Sequence, residues 1–410
     1  VKQQSEVLKM VIVSGRSLGL VKVACVGMAL LAETGAARAV SDRILYSFEN
    51  GSDGAHPGAS LLNVDGTLYG TTAYGGSGNC DGGCGTVFSI TPGGVETILH
   101  SFQGGNDGAL PGGNLIDVAG TLYGTTYSGG VNGSGTVFSV VSPGTETVVY
   151  SFKGGRDGAN PLAGLIKIGD KLYGTTSRGG AGRTCGATGC GTVFRLTSAG
   201  SHSVLYSFKG GKDGQYPEGD LLDMGGLLYG TTNRGGGSDW GTVFAVTKAG
   251  AEEVVYAFNG PVFKDGAYPA AGLINVGGKL YGTTEGGGRS SNCGLDGCGT
   301  VFELTQGGIE TVIYSFDGIV DGANPQGNLI DVGGVLYGTT QAHGSTNSGT
   351  VFNLDIGRAA AGAETLLYSF QNGSDGANPC AALIDVGGTL YSTTESGGTS
   401  GNGTVFAISP

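Results

Sequence analysis

The residues of this chain that can do chemistry are four histidines, eight cysteines and a recurring set of acids and hydroxyls. His56 or His343 with Glu285 or Glu395 would form a general acid–base pair if the fold brought them within hydrogen-bond reach. Three cysteine pairs are closely spaced: Cys80 with Cys84, Cys185 with Cys190, and Cys293 with Cys298. In an oxidising compartment such pairs close short disulfide loops. The competing reading is zinc, which would require pairs from different parts of the chain to meet, and no histidine lies near them in sequence. Cys380 has no such neighbour and is expected to be a free thiol. Asp53, Asp107, Asp157, Asp213, Asp265, Asp321 and Asp375 each precede a glycine. A ring of cation-binding carboxylates is one reading, but calcium needs six to eight clustered oxygens. An Asp that bonds the backbone of its own turn, with Gly at positive φ, accounts for the same pattern. No Gly-x-Ser-x-Gly elbow joins a strand to a helix. The Gly-x-Gly-x-x-Gly matches open no helix, so neither a dinucleotide nor any other cofactor is expected, and no metal.

What must position these residues is a repeat. Gly-Thr-Val-Phe occurs seven times, starting at Gly85, Gly135, Gly191, Gly241, Gly299, Gly349 and Gly403, at steps of 50 to 58 residues. Leu-Tyr-Gly-Thr-Thr precedes each copy, with Ser392 replacing Gly in the last. Tyr-Ser-Phe follows, then Asp-Gly-Ala-x-Pro and a short apolar run. Each unit holds four segments rich in Val, Ile, Thr, Tyr and Phe, bounded by Gly, Pro, Asn or Asp. In the second unit these are Leu115–Val118, Thr121–Thr126, Gly135–Val140 and Glu146–Phe152. Four short antiparallel strands in each of seven units predict an all-β, seven-bladed β-propeller. The repeat region opens on a lone fourth strand, Ile44–Phe48, and closes on a lone third strand, Gly403–Ser409. Pairing the two completes the last blade and closes the ring, which hides two sheet edges. With strands A to D counted outward from the channel, the D–A and B–C loops share one face and the short turns the other. His100 replaces a core Tyr, and His202 falls on the short-turn face.

Composition and targeting limit the function classes. Gly makes up 86 of 410 residues, at fixed places between aromatic segments, and 17 Tyr with 15 Phe suffice for a core. Residues 1–39 carry basic residues, an apolar stretch from Val23 to Ala32, and Ala37-Arg38-Ala39 before Val40. This reads as a signal peptide, with residues 40–410 as the propeller; an uncleaved N-terminal anchor is the alternative. The apolar stretch is short for a membrane span. Removing five basic and two acidic residues would take the net charge from −12 to −15. So acidic a surface argues against nucleic acid and anionic membranes. A secreted, extracellular or cell-surface monomer is expected, with the periplasm as the other exported location.

The combined motifs resemble the GloVer extracellular tandem repeats of bacteria, found in exported proteins called choice-of-anchor proteins. The resemblance covers residues 44–409 and implies an exported propeller-like protein; it carries no activity with it. No C-terminal anchor is expected, because the chain stops at Pro410 directly after the last strand.

A site should break the repeat symmetry on the loop face. The departures there include Tyr74, Tyr127, Arg178, Arg234, Trp240, Glu285, His343 and His56. Aromatic and planar polar groups suit a carbohydrate or protein ligand, which favours a binding module. The alternatives are a polysaccharide lyase or glycoside hydrolase working at the channel mouth, and a purely structural envelope protein.

Overall fold

The computed structural model describes residues 41–182, 184–357 and 364–410. The expected signal peptide lies outside the described residues. The rest is a closed seven-bladed propeller. Blade 2 shows the pattern, with strands A Ile116–Val118, B Thr121–Ser128, C Thr136–Val141 and D Thr145–Ser151. In every blade each strand pairs antiparallel with the next, in the order A-B-C-D. Neighbouring A strands touch around the channel, so A is innermost. Blade 7 joins Ile384–Val386, Thr389–Thr394 and Thr404–Ser409 to Ser41–Ser47, which supplies its D strand. Among the described residues the helical segments are short 3-10 turns, and no helix is long and apolar enough to cross a membrane.

A blade buries both faces against its neighbours, so the core is divided into seven clusters between blades. One cluster joins Tyr281, Val301 and Phe316 of blade 5 to Leu329, Leu336, Phe352 and Leu354 of blade 6. The closing cluster joins Phe48 and Val405 of blade 7 to Leu61, Leu68, Phe88 and Ile90 of blade 1. The repeated motifs are the parts that make these contacts. The Phe of each Tyr-Ser-Phe (or its variant) meets the Phe of the next blade's Gly-Thr-Val-Phe edge-to-face, with centroids 5.0–5.2 Å apart at all seven interfaces. That geometry sets a positive ring edge against a negative ring face. The Thr of Gly-Thr-Val-Phe bonds the second Thr of the preceding Thr-Thr, Oγ1 to Oγ1 at 2.7–2.8 Å. These buried hydroxyls are thereby satisfied in each blade.

The D strands carry a bulge at a fixed place, as between Val148 and Tyr150. The bulged residue turns toward the next blade: Val149 packs in the cluster of Phe152, Leu172 and Phe194. Disulfides Cys80–Cys84, Cys185–Cys190 and Cys293–Cys298 pin the B–C loops of blades 1, 3 and 5, and Cys380 is free. His202 lies between blades 2 and 3, stacked on Tyr150 with centroids 4.3 Å apart.

Candidate site at the channel mouth

Each D–A loop enters its A strand through Pro, two residues and then a position that points at the channel axis. Around the ring that position is Ser60, Asn114, Gly164, Asp220, Gly272, Asn328 and Ala382. Asp220 is the hub. Its Oδ2 accepts from Asn114 Nδ2 at 2.6 Å and Asn328 Nδ2 at 3.0 Å, and its Oδ1 accepts from the Gly164 N–H at 2.7 Å. The amide oxygens of Asn114 and Asn328 accept from the N–H of Ser60 and Gly272. Ser60 Oγ accepts from the Ala382 N–H. Through these relays one carboxylate connects all seven blades across the channel, in the lining of a cavity of about 120 Å³. Asp220→Ala would leave two amide donors and a backbone N–H without their acceptor. We expect a loss of about 2–4 kcal/mol in urea unfolding, and a wild-type unfolding free energy for that variant would remove the hub role.

The next ring outward, directly after the Pro, is Gly58, Gly112, Leu162, Glu218, Ala270, Gln326 and Cys380. Its hydrogen-bonding groups therefore belong to blades 4, 6 and 7. Glu285, at the end of strand B of blade 5, comes up beside Glu218 and Gln326. Burial and then the Glu218 charge push the Glu285 carboxyl up to about 7, against a hydrogen bond from Gln326 and the Arg234 charge. Burial also raises Glu218, opposed by Arg178 and Arg234. Burial, with Glu395 nearby, pushes the Cys380 thiol up to about 12.

Two arginine–tyrosine stacks flank this carboxyl pair. The Arg178 guanidinium lies 4.2 Å from the ring centroid of Tyr216, and that of Arg234 lies 4.2 Å from the centroid of Tyr268. Trp240 tilts against the same Tyr268 ring, with centroids 4.9 Å apart. Arg234 also reaches Asp239 at 4.0 Å. Both tyrosines precede the repeated Pro, where all seven blades have a left-handed backbone; φ is 61° at Tyr216 and 58° at Tyr268. Asn tolerates that conformation, and Asn160, Asn324 and Asn378 use it to bond the carbonyls of Tyr127, Glu285 and Gln341. A Tyr ring there costs on the order of 1–2 kcal/mol and has no ring nitrogen or amide to offer that carbonyl.

Of the residues expected from sequence, Arg178, Arg234, Trp240 and Glu285 come together over blades 3 to 5. His56 and Tyr74 pair separately on blade 1, with centroids 5.5 Å apart, and His56 Nδ1 lies 2.9 Å from the Glu395 carbonyl. His343 Nδ1 is held by the Gly318 carbonyl on the rim. Tyr127 is half-buried on blade 2, with its carbonyl taken by Asn160. Sequence reasoning passed over Glu218, Gln326 and the Asp220 hub. Their signal was available in the columns directly after and three places after the repeated Pro. Among the described residues no group of three or more His, Cys, Asp or Glu could hold a metal.

Fold and site together define a repeat β-propeller whose scaffold is uniform and whose channel mouth is not. The chain belongs to the Gloeobacter/Verrucomicrobia repeat family, whose model matches residues 34–186 and 182–406. No curated protein matches the sequence. Among solved structures, an ancestral GH74 enzyme is similar at 12% identity and TM-score 0.54, over 87% of this chain and 48% of that one. A putative 6-phosphogluconolactonase from Bacteroides uniformis is similar at 14% identity and TM-score 0.49, over 81% and 88%. A gluconolactonase from Xanthomonas campestris is similar at 14% identity and TM-score 0.43, over 73% and 86%. At these identities the likeness is one of fold.

Proposed function

We propose that this protein is an exported binding propeller that holds a carbohydrate at the channel mouth, over blades 3 to 6. The observation that carries this reading is the strained pair Tyr216 and Tyr268. Side chains kept in an unfavourable backbone region are where function is to be sought, and here each lies under an arginine beside a half-buried carboxyl. Aromatic faces take the apolar faces of a sugar ring, while Arg, Gln and carboxyl groups bond its hydroxyls. The disulfide-pinned loops and the signal-like N-terminus support export. The Glu218–Glu285 pair supports a second reading, glycoside hydrolysis, because a pair of neighbouring carboxyls is the usual acid–base equipment for that reaction.

Titration calorimetry against neutral, amino and uronic oligosaccharides tests both. Binding is expected, with Arg234→Ala and Tyr268→Ala each weakening it at least tenfold while thermal unfolding stays cooperative. Release of shorter sugars, lost in Glu285→Gln, would move the assignment to an enzyme. If no oligosaccharide binds, or both variants bind as the wild type does, the carbohydrate reading falls.

A further inference from the structure

At each interface between blades an ionisable side chain from one blade faces an Asp of the blade before it. The strand-D residue that pairs with the position two after the Phe of Gly-Thr-Val-Phe is Glu96, Glu146, His202, Glu252, Glu310, Glu364 and, in the closing strand, Asp42. Its opposite number is the Asp of the repeated Asp-Gly. That Asp is already committed: Asp265 accepts from the Tyr256 hydroxyl at 2.8 Å and the Asn259 N–H at 2.8 Å, and Asp321 accepts likewise from Tyr314 and the Asp317 N–H. The Oε1 atoms of Glu96, Glu146, Glu252, Glu310 and Glu364 are shut off from solvent with no hydrogen-bond partner. Two carboxyls that face each other, one with a dry and unpaired oxygen, are mismatched if both are ionised.

We propose that these five interblade Glu–Asp pairs form a pH-sensitive clasp, in which a proton held on each Glu joins adjacent blades and its loss sets two carboxylates against each other. Of the two remaining interfaces, that between blades 2 and 3 has a histidine in the place of Glu: His202 brings a ring nitrogen to Asp157, Nδ1 to Oδ1 at 3.4 Å. At the Glu146 interface, where blade 1 has no Tyr, His100 Nε2 lies 3.4 Å from the same Asp107.

The groups facing each Glu set the direction. Glu96 faces Asp53 and Tyr46. Glu146 faces Asp107. Glu252 faces Asp213 and Tyr206, with Lys209 as the one nearby cation. Glu310 faces Asp265 and Tyr256. Glu364 faces Asp321 and Asp317, behind which lies Tyr314. Burial first and the facing Asp second raise four of these carboxyls from the ordinary 4.5 to about 7, and Glu310 to about 8. The folded chain therefore binds more protons than the unfolded one between the ordinary and raised values. Stability must fall as pH rises through that window, and the loss is complete above about 8. The clasp holds in mildly acidic surroundings and loosens in alkaline ones.

Thermal unfolding of the intact chain between pH 5 and 9 tests this. The wild type should lose at least 5 °C of Tm from pH 5.5 to pH 8.5. The variant with Glu→Gln at positions 96, 146, 252, 310 and 364 should lose less than half as much and melt above the wild type at pH 8.5. If the fivefold variant does not fold, Glu310→Gln alone should raise Tm at pH 8.5 and leave it unchanged at pH 5.5. A flat wild-type profile, or the same slope in the Gln variants, would overturn the proposal. So would a rise in Tm at pH 8.5 with millimolar calcium that the Gln variants lack, since a metal ion would then occupy the pairs.

Discussion

A chain beginning at Glu49 should self-associate more than the intact chain does. Such a chain lacks Ser41–Ser47, the D strand of blade 7, and Phe48. Strand Thr404–Ser409 would lose its partner from Ser41↔Ser409 to Ser47↔Thr404 and become an open edge, which invites pairing with another chain. The loss extends beyond one strand. Phe48 is fully buried and lies 5.2 Å from Phe88, so its removal opens the cluster between blades 7 and 1. Glu96 would lose Asp53's neighbour Tyr46, and Thr399 the Ser47 hydroxyl that accepts its N–H. Phe48→Ala isolates the packing part and should cost about 3–5 kcal/mol. Light scattering behind size exclusion, with urea unfolding of the point variant, measures both. A truncated chain that elutes as a monomer and melts like the intact one would show that the ring does not depend on this strand. Cleavage before Val40, as the sequence suggests, would leave the closing strand whole.

How much of this was legible in the sequence depended on whether a residue acts within its own repeat. Gly-Thr-Val-Phe and Tyr-Ser-Phe recur because each makes the same contact seven times, so blade number, strand order and ring closure follow from spacing alone. The second blade's strands lie within two residues of their expected bounds, and Thr121–Ser128 runs two further because it bonds the D–A segment Ala109–Pro111. The mouth was less legible because its contacts join different columns of adjacent blades. Arg178 and Tyr216 are 38 positions apart, Arg234 and Tyr268 are 34, and nothing in either spacing marks a stack. Glu218 was hidden for another reason. It stands beside a scaffold Pro in a loop that reads as a turn, and only the closed ring turns that position toward Glu285. The interblade carboxyl pairs were half visible. The Asp of Asp-Gly was read as a turn-former, which its bonds to backbone N–H groups support, but it also faces an ionisable residue of the next blade's strand D, as Asp157 faces His202 at 3.4 Å.

Gly322→Ala should be among the most destabilising single-methyl additions in the molecule, and it separates two reasons for glycine in this fold. Gly322 follows Asp321 with φ +90°, and a Cβ there would run into Thr340 Oγ1 and lie 2.7 Å from Thr350 Oγ1. Those hydroxyls bond each other at 2.7 Å, and Thr350 Oγ1 also donates to the Asp321 carbonyl at 3.1 Å. Neither Thr can swing aside without leaving a buried hydroxyl unpaired, since both are fully buried. Left-handed strain of about 1–2 kcal/mol therefore adds to a clash of about 1–3 kcal/mol, and the lost hydroxyl pair adds about 1 kcal/mol more. Gly334→Ala is the control. Its φ is +87°, yet no atom lies within 4 Å of the added methyl, so it carries the strain without the clash. Urea unfolding should show Gly334→Ala losing about 1–2 kcal/mol and Gly322→Ala at least twice as much, with insolubility as the extreme. Equal losses would mean that backbone conformation alone fixes the repeated Asp-Gly. A larger loss at Gly322 would mean that the glycine is there to let the D–A loop lie flat on the Thr–Thr pair, which is what carries each loop over the blade to the channel mouth.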